Sequence, residues 1–184
     1  MFFQEIKSTN DLFFCASATI NCEKIGIIED YLIYHRRNNI NSISNTREKN
    51  YTCAIDALNL LYHYLKNNSL YERFEIDFLS YVLNLMQWQI DTLKFKEGKR
   101  LYNILKLDIF LKYDFDKLKK CNGFFDKNNK KFFEYVKSKT YYEYIIFRTK
   151  DIIQEKSILD FFSLLIYKKI LPHCPNLIKI MLKK

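Results

Sequence analysis

Residues that form turns or cross-links are scarce in this sequence. Only 3 Gly and 2 Pro occur among 184 residues, so few positions favour the tight turns of a many-stranded sheet. The five cysteines are odd in number, widely spaced and without a Cys-x-x-Cys pair, which argues against a disulfide framework or a zinc site. No stretch approaches the roughly 18 uncharged apolar residues of a spanning helix. We therefore expect a mostly helical protein of the reducing cytoplasm.

Apolar and aromatic residues, by contrast, are abundant. Hydrophobic residues make up 48% of the chain and aromatic residues 17%, with 16 Phe and 14 Tyr. Disordered chains have the opposite composition, poor in aromatic residues and highly charged. A chain of this length can bury one sizeable core but not two large independent ones. The composition therefore predicts one compact body.

Positive charge is concentrated in the second half of the chain. The formal net charge is +9; residues 1–93 hold 8 Lys+Arg against 11 Asp+Glu, and residues 94–184 hold 22 against 10. A basic surface attracts nucleic acid or an anionic membrane, and it also keeps a protein soluble. The charge therefore locates a candidate partner surface in the second half without selecting the partner.

The first 47 residues combine one predicted helix with a short β element. Apolar residues recur at helical spacing over residues 11–22, directly after good capping residues at 8–11. Residues 24–28 and 30–36 are short segments rich in β-branched or aromatic side chains, which predicts two strands. Asn and Ser dominate residues 37–47, so a loop is predicted there.

Longer helical periodicity begins at residue 48. It predicts helices over about 48–66, 70–93 and 96–111, and a last helical region over 141–171 that ends before Pro172. The aromatic residues from Phe74 to Trp88 have core spacing, which favours burial over a sugar-binding platform. Residues 112–139 are rich in Lys, Asn and Phe without a clear period, and no element is assigned to them.

The order of motifs in the first quarter is that of a known family. A helix opens at Thr9-Asn10-Asp11, Lys24-Ile25-Gly26-Ile27-Ile28 follows, and Tyr34-His35-Arg36-Arg37 precedes Asn41-Ser42-Ile43-Ser44. Helical Ala-Leu-x-x-Leu spacing then leads to Ser69-Leu70-Tyr71-Glu72-Arg73-Phe74. Over about residues 1–110, this arrangement resembles the C-terminal part of bacterial family 2 glycosyltransferases.

The resemblance implies a remnant of an α/β GT-A glycosyltransferase followed by a helical extension. Residues 1–47 would be the C-terminal piece of the catalytic domain, and residues 48–184 the extension. Family members begin with a nucleotide-sugar-binding domain that holds a divalent metal through paired aspartates. Asp114-Phe115-Asp116 matches that motif in letters but follows no apolar strand. We therefore expect a domain of about 100 residues to be missing before Met1, and the chain alone to bind donor sugar poorly.

The resemblance also implies roles for individual residues. Asp11 takes the place of the base, which accepts the proton of the acceptor hydroxyl during an inverting transfer. Asn10, His35, Arg36 and Ser42 match substrate-binding positions, where donors and cations assist the departing diphosphate. No metal ligand or cofactor is expected within this chain; Mg²⁺ or Mn²⁺ and a nucleotide sugar are expected for the intact enzyme.

Structural interpretations compete with each of these roles. Asp11 suits a plain helix cap, and Arg36 and Arg37 suit the protection of an exposed strand edge. His35 has no second His nearby in the sequence, which is typical of a strand-end histidine bonded to backbone rather than of a metal ligand.

Two functions from different classes remain open. The first is a fragment or split half of a glycosyltransferase that moves a sugar from a nucleotide-sugar donor to a glycan or lipid-linked acceptor in surface polysaccharide or lipooligosaccharide synthesis. It implies peripheral contact with the inner face of the cell membrane and no nucleic-acid partner. The alternative is a small basic helical protein that binds nucleic acid or acidic partners without catalysis. A third interpretation is an inert truncated product, which would share the ancestry of the glycosyltransferase and differ from it only in lacking activity.

Overall fold

A computed structural model describes residues 8–30, 48–120 and 127–155, together with Ile6. Most of these residues are helical, so the mostly α fold is confirmed. The chain divides between Glu75 and Ile76 into two compact units. Across the described residues, no helix combines the length and the apolar composition needed to cross a bilayer.

The helical elements are α1 (Asn10–Asn21), α2 (Cys53–Asn67), α3 (Tyr71–Thr92), α4 (Phe95–Ile104), a π-helical turn (Leu105–Ile109), α5 (Phe110–Lys112), a 3₁₀ helix (Phe115–Lys120), α6 (Lys127–Ser138) and α7 (Tyr141–Glu155).

The strand predicted over residues 24–28 does not form, and this prediction was wrong. Residues 24–29 have no regular secondary structure, and Ile25, Ile27 and Ile28 are 71%, 93% and 65% exposed. β-branched residues stabilise a strand only when it pairs with another and buries one face. No strand forms among the residues that the structure describes, and residues 31–36 of the second predicted strand lie outside them.

In the first unit, α1 packs on α2. Leu12 of α1 is buried. The rings of Phe13 and Tyr64 form a T-shaped pair with centroids 5.6 Å apart, and the Asn21 amide donates to the Tyr64 hydroxyl at 2.6 Å. The α2 helix buries the apolar stripe that its periodicity predicts. The buried members of that stripe are Ala54, Ala57, Leu58, Leu61 and Leu65.

The helix α2 ends with serine in a position that usually holds glycine. The N–H of Leu70 donates to the carbonyl of Leu65 at 2.8 Å, and Ser69 between them has a φ of 55°. This pairing and the left-handed residue form a Schellman-type helix end. A chain with so few glycines thus ends a helix on a residue with a Cβ, at a steric cost.

The core of the second unit consists largely of aromatic rings. Tyr102 and Tyr144 are both fully buried, with ring centroids 5.5 Å apart, and Tyr141 lies 5.5 Å from Tyr102. The Tyr102 hydroxyl donates to the carbonyl of Tyr135 at 2.9 Å. Because a buried hydroxyl needs an acceptor, this bond fixes the end of α6 beside α4.

The start of α7 is a capping box. The Thr140 N–H donates to the Glu143 carboxylate at 2.8 Å, and the Glu143 N–H donates back to the Thr140 hydroxyl at 3.4 Å. The two bonds satisfy helix N–H groups reciprocally. The backbone N–H of Thr140 is also the main reason why the pKa of Glu143 lies below its usual value.

The exposed side of α3 carries two aromatic residues that the periodicity predicted to be core. Phe78 and Val82 are buried as expected, but Tyr81 is 40% exposed and Trp88 is 49% exposed. The buried residues of α3 recur at helical spacing on one side, and positions 81 and 88, seven residues apart, lie on the other. An aromatic run of this width exceeded what one helix face can bury.

A single continuous helical segment runs from Phe95 to Lys112, close to the helix predicted over 96–111. Its middle contains the π-helical turn, in which the N–H of Phe110 donates to the carbonyl of Leu105, five residues back. Leu101, Leu105 and Ile109 face the core, so the segment is anchored along one side.

Replacing Gly98 by Ala is predicted to destabilise the protein. A Cβ at Gly98 would lie 2.5 Å from the Tyr141 hydroxyl oxygen and 3.3 Å from the Ile90 carbonyl oxygen. Overpacking of this kind typically costs about 1–3 kcal/mol, which equals or exceeds the gain of roughly 1 kcal/mol from helix propensity. Tyr141 is buried, so its ring has little room to move. We expect a lower urea midpoint for Gly98→Ala. Gly26→Ala is the control, since a Cβ there meets nothing within 4 Å; equal losses for both would contradict the packing argument.

Candidate functional site

Asp11 lies in the first turn of α1 with its side chain exposed. The turn is closed by the N–H of Leu12, which donates to the Thr9 carbonyl at 3.2 Å. The next residue, Leu12, is 6% exposed, so the backbone at this point is fixed while the Asp11 carboxylate faces solvent. A carboxylate held in this way can accept a proton from a hydroxyl group that approaches from solvent.

Thr9, at the N-cap of α1, has a left-handed backbone with a φ of 57° and a ψ of 25°. Its hydroxyl donates to the carbonyl of Ser8 at 2.6 Å, and no side chain caps the helix. A β-branched residue at positive φ is strained, and such strain concentrates at functional sites. The strained residue lies two positions before Asp11.

Hydrogen bonds within α1 fix it from end to end. The Ser17 hydroxyl is fully buried and donates to the Phe13 carbonyl at 2.6 Å. Near the C-terminal end, the Asn21 amide bridges the Ser17 carbonyl at 2.6 Å and Tyr64 of α2. The helix that carries Asp11 is thus bonded to α2 near its C-terminal end, through Tyr64.

The other predicted site residues cannot be placed around Asp11. Asn10 is the first residue of α1, and its side chain is outside the described part of the structure. His35, Arg36 and Ser42 also lie outside the described residues. Their assignment to substrate binding stays a prediction.

Asp116 of the Asp114-Phe115-Asp116 motif forms ion pairs at the protein surface. Asp116 pairs with Lys137 at 3.0 Å and with Lys119 at 3.2 Å. Hydrogen bonds from Lys137 and then Lys119 lower the pKa of the Asp116 carboxyl. In the described part of the chain, no group of three or more His, Cys, Asp or Glu side chains is arranged to hold a metal ion.

A polar cluster that sequence inspection missed joins α3 to α7. The Tyr144 hydroxyl donates to Asp91 Oδ1 at 2.6 Å, and Arg148 donates to Asp91 Oδ2 from Nε at 3.1 Å and from Nη2 at 2.7 Å. Asp91 and Arg148 are 57 residues apart in the chain. The one local signal is the spacing of Tyr144 and Arg148, four residues apart on α7 and so on one face.

The Asp91 cluster acts as a structural clamp. Both of its carboxylate oxygens accept strong hydrogen bonds, and the Asp91 and Arg148 side chains are 22% and 27% exposed. Burial, followed by the Asp91 charge, raises the pKa of Tyr144 well above its usual value. A carboxylate that accepts hydrogen bonds on both oxygens is fixed in place, which fits a structural role for Asp91.

The chain matches no protein-family model, no curated protein and no solved structure.

Replacing Asp91 by Ala is predicted to cost about 2–3 kcal/mol of unfolding free energy, because it leaves a buried hydroxyl and a partly buried guanidinium without their acceptor. Asp116→Ala is the matched control. Asp116 also pairs with two side chains, those of Lys119 and Lys137, but it does so at the surface, where ion pairs contribute little to stability. Urea unfolding measures both. Equal losses would show that the Asp91 cluster is not a clamp.

Alkaline pH is predicted to weaken the second unit. Burial raises the pKa of both Tyr102 and Tyr144, so these groups stay protonated in the folded state while unfolded tyrosines ionise near pH 10. Their stabilisation is complete below about pH 10 and is lost above it, by up to roughly 1.4 kcal/mol per pH unit for each tyrosine.

The slope of unfolding free energy against pH, measured from about pH 8 to pH 11, tests this. Tyr144→Phe should flatten the slope, whereas Tyr142→Phe, on the exposed side of α7, should not. An unchanged slope in Tyr144→Phe would contradict the assignment.

Proposed function

We propose that this chain is the acceptor-side part of a family 2 type glycosyltransferase of GT-A fold. Asp11 serves as the base that accepts the proton of an acceptor hydroxyl as it attacks the anomeric carbon of a nucleotide-linked sugar. The acceptor is a glycan or lipid-linked saccharide, and the work is done in the cytoplasm at the inner face of the cell membrane. Asn10, His35, Arg36 and Ser42 are proposed to bind substrate.

The observation that carries the proposal is the position of Asp11. The resemblance calls for an acidic residue that opens a helix beside the acceptor, and Asp11 lies exposed in the first turn of a helix fixed to α2. Thr9, two residues before Asp11, has a strained left-handed backbone, and strain of this kind is often found beside functional residues. The base works by being correctly placed.

In this proposal, the nucleotide diphosphate leaves from a donor-binding part that also holds Mg²⁺ or Mn²⁺. A divalent cation bound in that part would neutralise the charge that develops on the diphosphate. None of the described residues is proposed as its ligand. The residues of this chain bind the acceptor and move its proton.

The alternative is a basic module that binds nucleic acid or acidic partners. It is disfavoured because several lysines form ion pairs or hydrogen bonds within the protein. Lys119 lies 3.0 Å from Glu134, Lys137 pairs with Asp116, and Lys106 donates to the Lys139 carbonyl at 2.8 Å. Cations that are paired within the protein release fewer counterions from a nucleic acid. A gel shift with duplex DNA that weakens steeply with salt would favour the alternative.

Replacing Asp11 by Asn in the producing cell is predicted to reduce sugar transfer about 10²–10⁴-fold, the usual contribution of a positioned base. The readout is mass spectrometry of the surface glycans, in which one sugar residue should be lost or strongly reduced. This experiment leaves every other part of the enzyme in its native setting.

Asp56→Asn is the matched control, because Asp56 is likewise an exposed acidic residue in the first turn of a helix, α2. It should leave the glycans unchanged. Circular dichroism of the purified variants checks that both fold. Wild-type glycans in the Asp11→Asn strain, with the protein folded, would refute the role of Asp11.

A further inference from the structure

The segment from α4 to α5 has an exposed side of unusual composition. Its members are spaced by four, three, four and four residues, which places them on one side of a helix, and all of them are exposed. This surface, the Leu107 stripe, consists of Lys96, Arg100, Asn103, Leu107 and Leu111.

The apolar end of the Leu107 stripe is strongly exposed. Leu107 is 61% exposed and Leu111 is 83% exposed. Each exposed leucine leaves apolar area in water that burial elsewhere would stabilise. The π-helical turn over Leu105–Ile109 lies at this end, and such turns occur frequently at functional sites.

The cationic end of the stripe is available to a partner. Lys96 and Arg100 form no ion pair or hydrogen bond with any residue that the structure describes. The two carboxylates of the segment, Glu97 and Asp108, are not members of the stripe, and residues 95–112 hold 5 Lys+Arg against 2 Asp+Glu. The stripe therefore combines free positive charge with two aliphatic side chains.

We propose that the Leu107 stripe docks on an anionic lipid bilayer. Leu107 and Leu111 enter the boundary between headgroups and acyl chains, and Lys96 and Arg100 contact the lipid phosphates. The segment lies in the plane of the surface, with Leu101, Leu105 and Ile109 still facing the protein core. The proposal adds an attachment surface to the proposed function, yet it depends on this segment alone.

The aliphatic members favour a membrane over nucleic acid. Nucleic acid is bound by cations for the phosphates and by aromatic rings on which bases stack, and leucine offers neither. Acyl chains, in contrast, accept leucine without loss of a hydrogen bond. Charge complementarity between the free cations and anionic headgroups supplies the remaining attraction.

Co-sedimentation with vesicles tests the proposal on the full chain. The probes are vesicles of phosphatidylcholine alone and vesicles with about one third phosphatidylglycerol. We expect binding to the anionic vesicles, reduced about tenfold for each leucine replaced in L107S/L111S and about fivefold for each cation replaced in K96Q/R100Q. Because sugar transfer is not needed for this binding, the attachment and the proposed function can fail separately.

L60S is the matched control, because Leu60 is an exposed leucine, at 41%, on α2 and outside the stripe; it should bind as wild type does. Wild-type protein that does not bind anionic vesicles, or L107S/L111S that binds as tightly as wild type, would overturn the proposal. Light scattering without lipid checks one rival occupant. A wild-type dimer that becomes a monomer in L107S/L111S would assign the stripe to a second copy of the chain and overturn membrane docking.

Discussion

The second unit depends on two buried tyrosines, Tyr102 and Tyr144, whose hydroxyl groups each donate to an acceptor on another helix. Leucine or phenylalanine would fill the same space without any demand on direction, whereas a buried hydroxyl must be met by a particular atom at about 3 Å. Tyr102 is met by a backbone carbonyl of α6, and Tyr144 by the Asp91 carboxylate of α3. The aromatic core thus selects which helices are neighbours as well as filling the space between them.

The Asp91 carboxylate links the requirement for a hydrogen-bond acceptor to an ion pair with Arg148. It accepts from Tyr144 and from two nitrogen atoms of Arg148, so a polar triad stands at the edge of an aromatic core. Such a network stabilises the fold only when every member is bonded. The cluster contains the residue types of a catalytic site, but both oxygens of its carboxylate accept hydrogen bonds from within the protein.

Periodicity predicted the helices well, because burial of one side is a local property of the sequence. The α2 helix and the segment from Phe95 appear near their expected places. The failures involve partners that are distant in the chain. The β-branched residues 24–28 have a strand-like composition but no described strand to pair with, and Trp88 has core spacing on a helix whose buried side was already filled.

The candidate site was predictable only in part for the same reason. Asp11 follows from the local order of a capping segment and an apolar periodicity, and the structure places it in the first turn of α1. The link between Asp91 and Arg148, 57 residues apart, has no local signature. The pairing of two residues so far apart in the chain becomes visible only in the three-dimensional structure.

The π-helical turn at Leu105–Ile109 has a consequence for the history of the chain. A turn closed by a bond over five residues holds one residue more than an α-helical turn. The residues before it keep Leu101 in the core, while those after it are rotated relative to a regular helix. Related proteins with an unbroken α-helix here should therefore align with a gap of a single residue at this turn, and in them the position of Leu111 would point in a different direction.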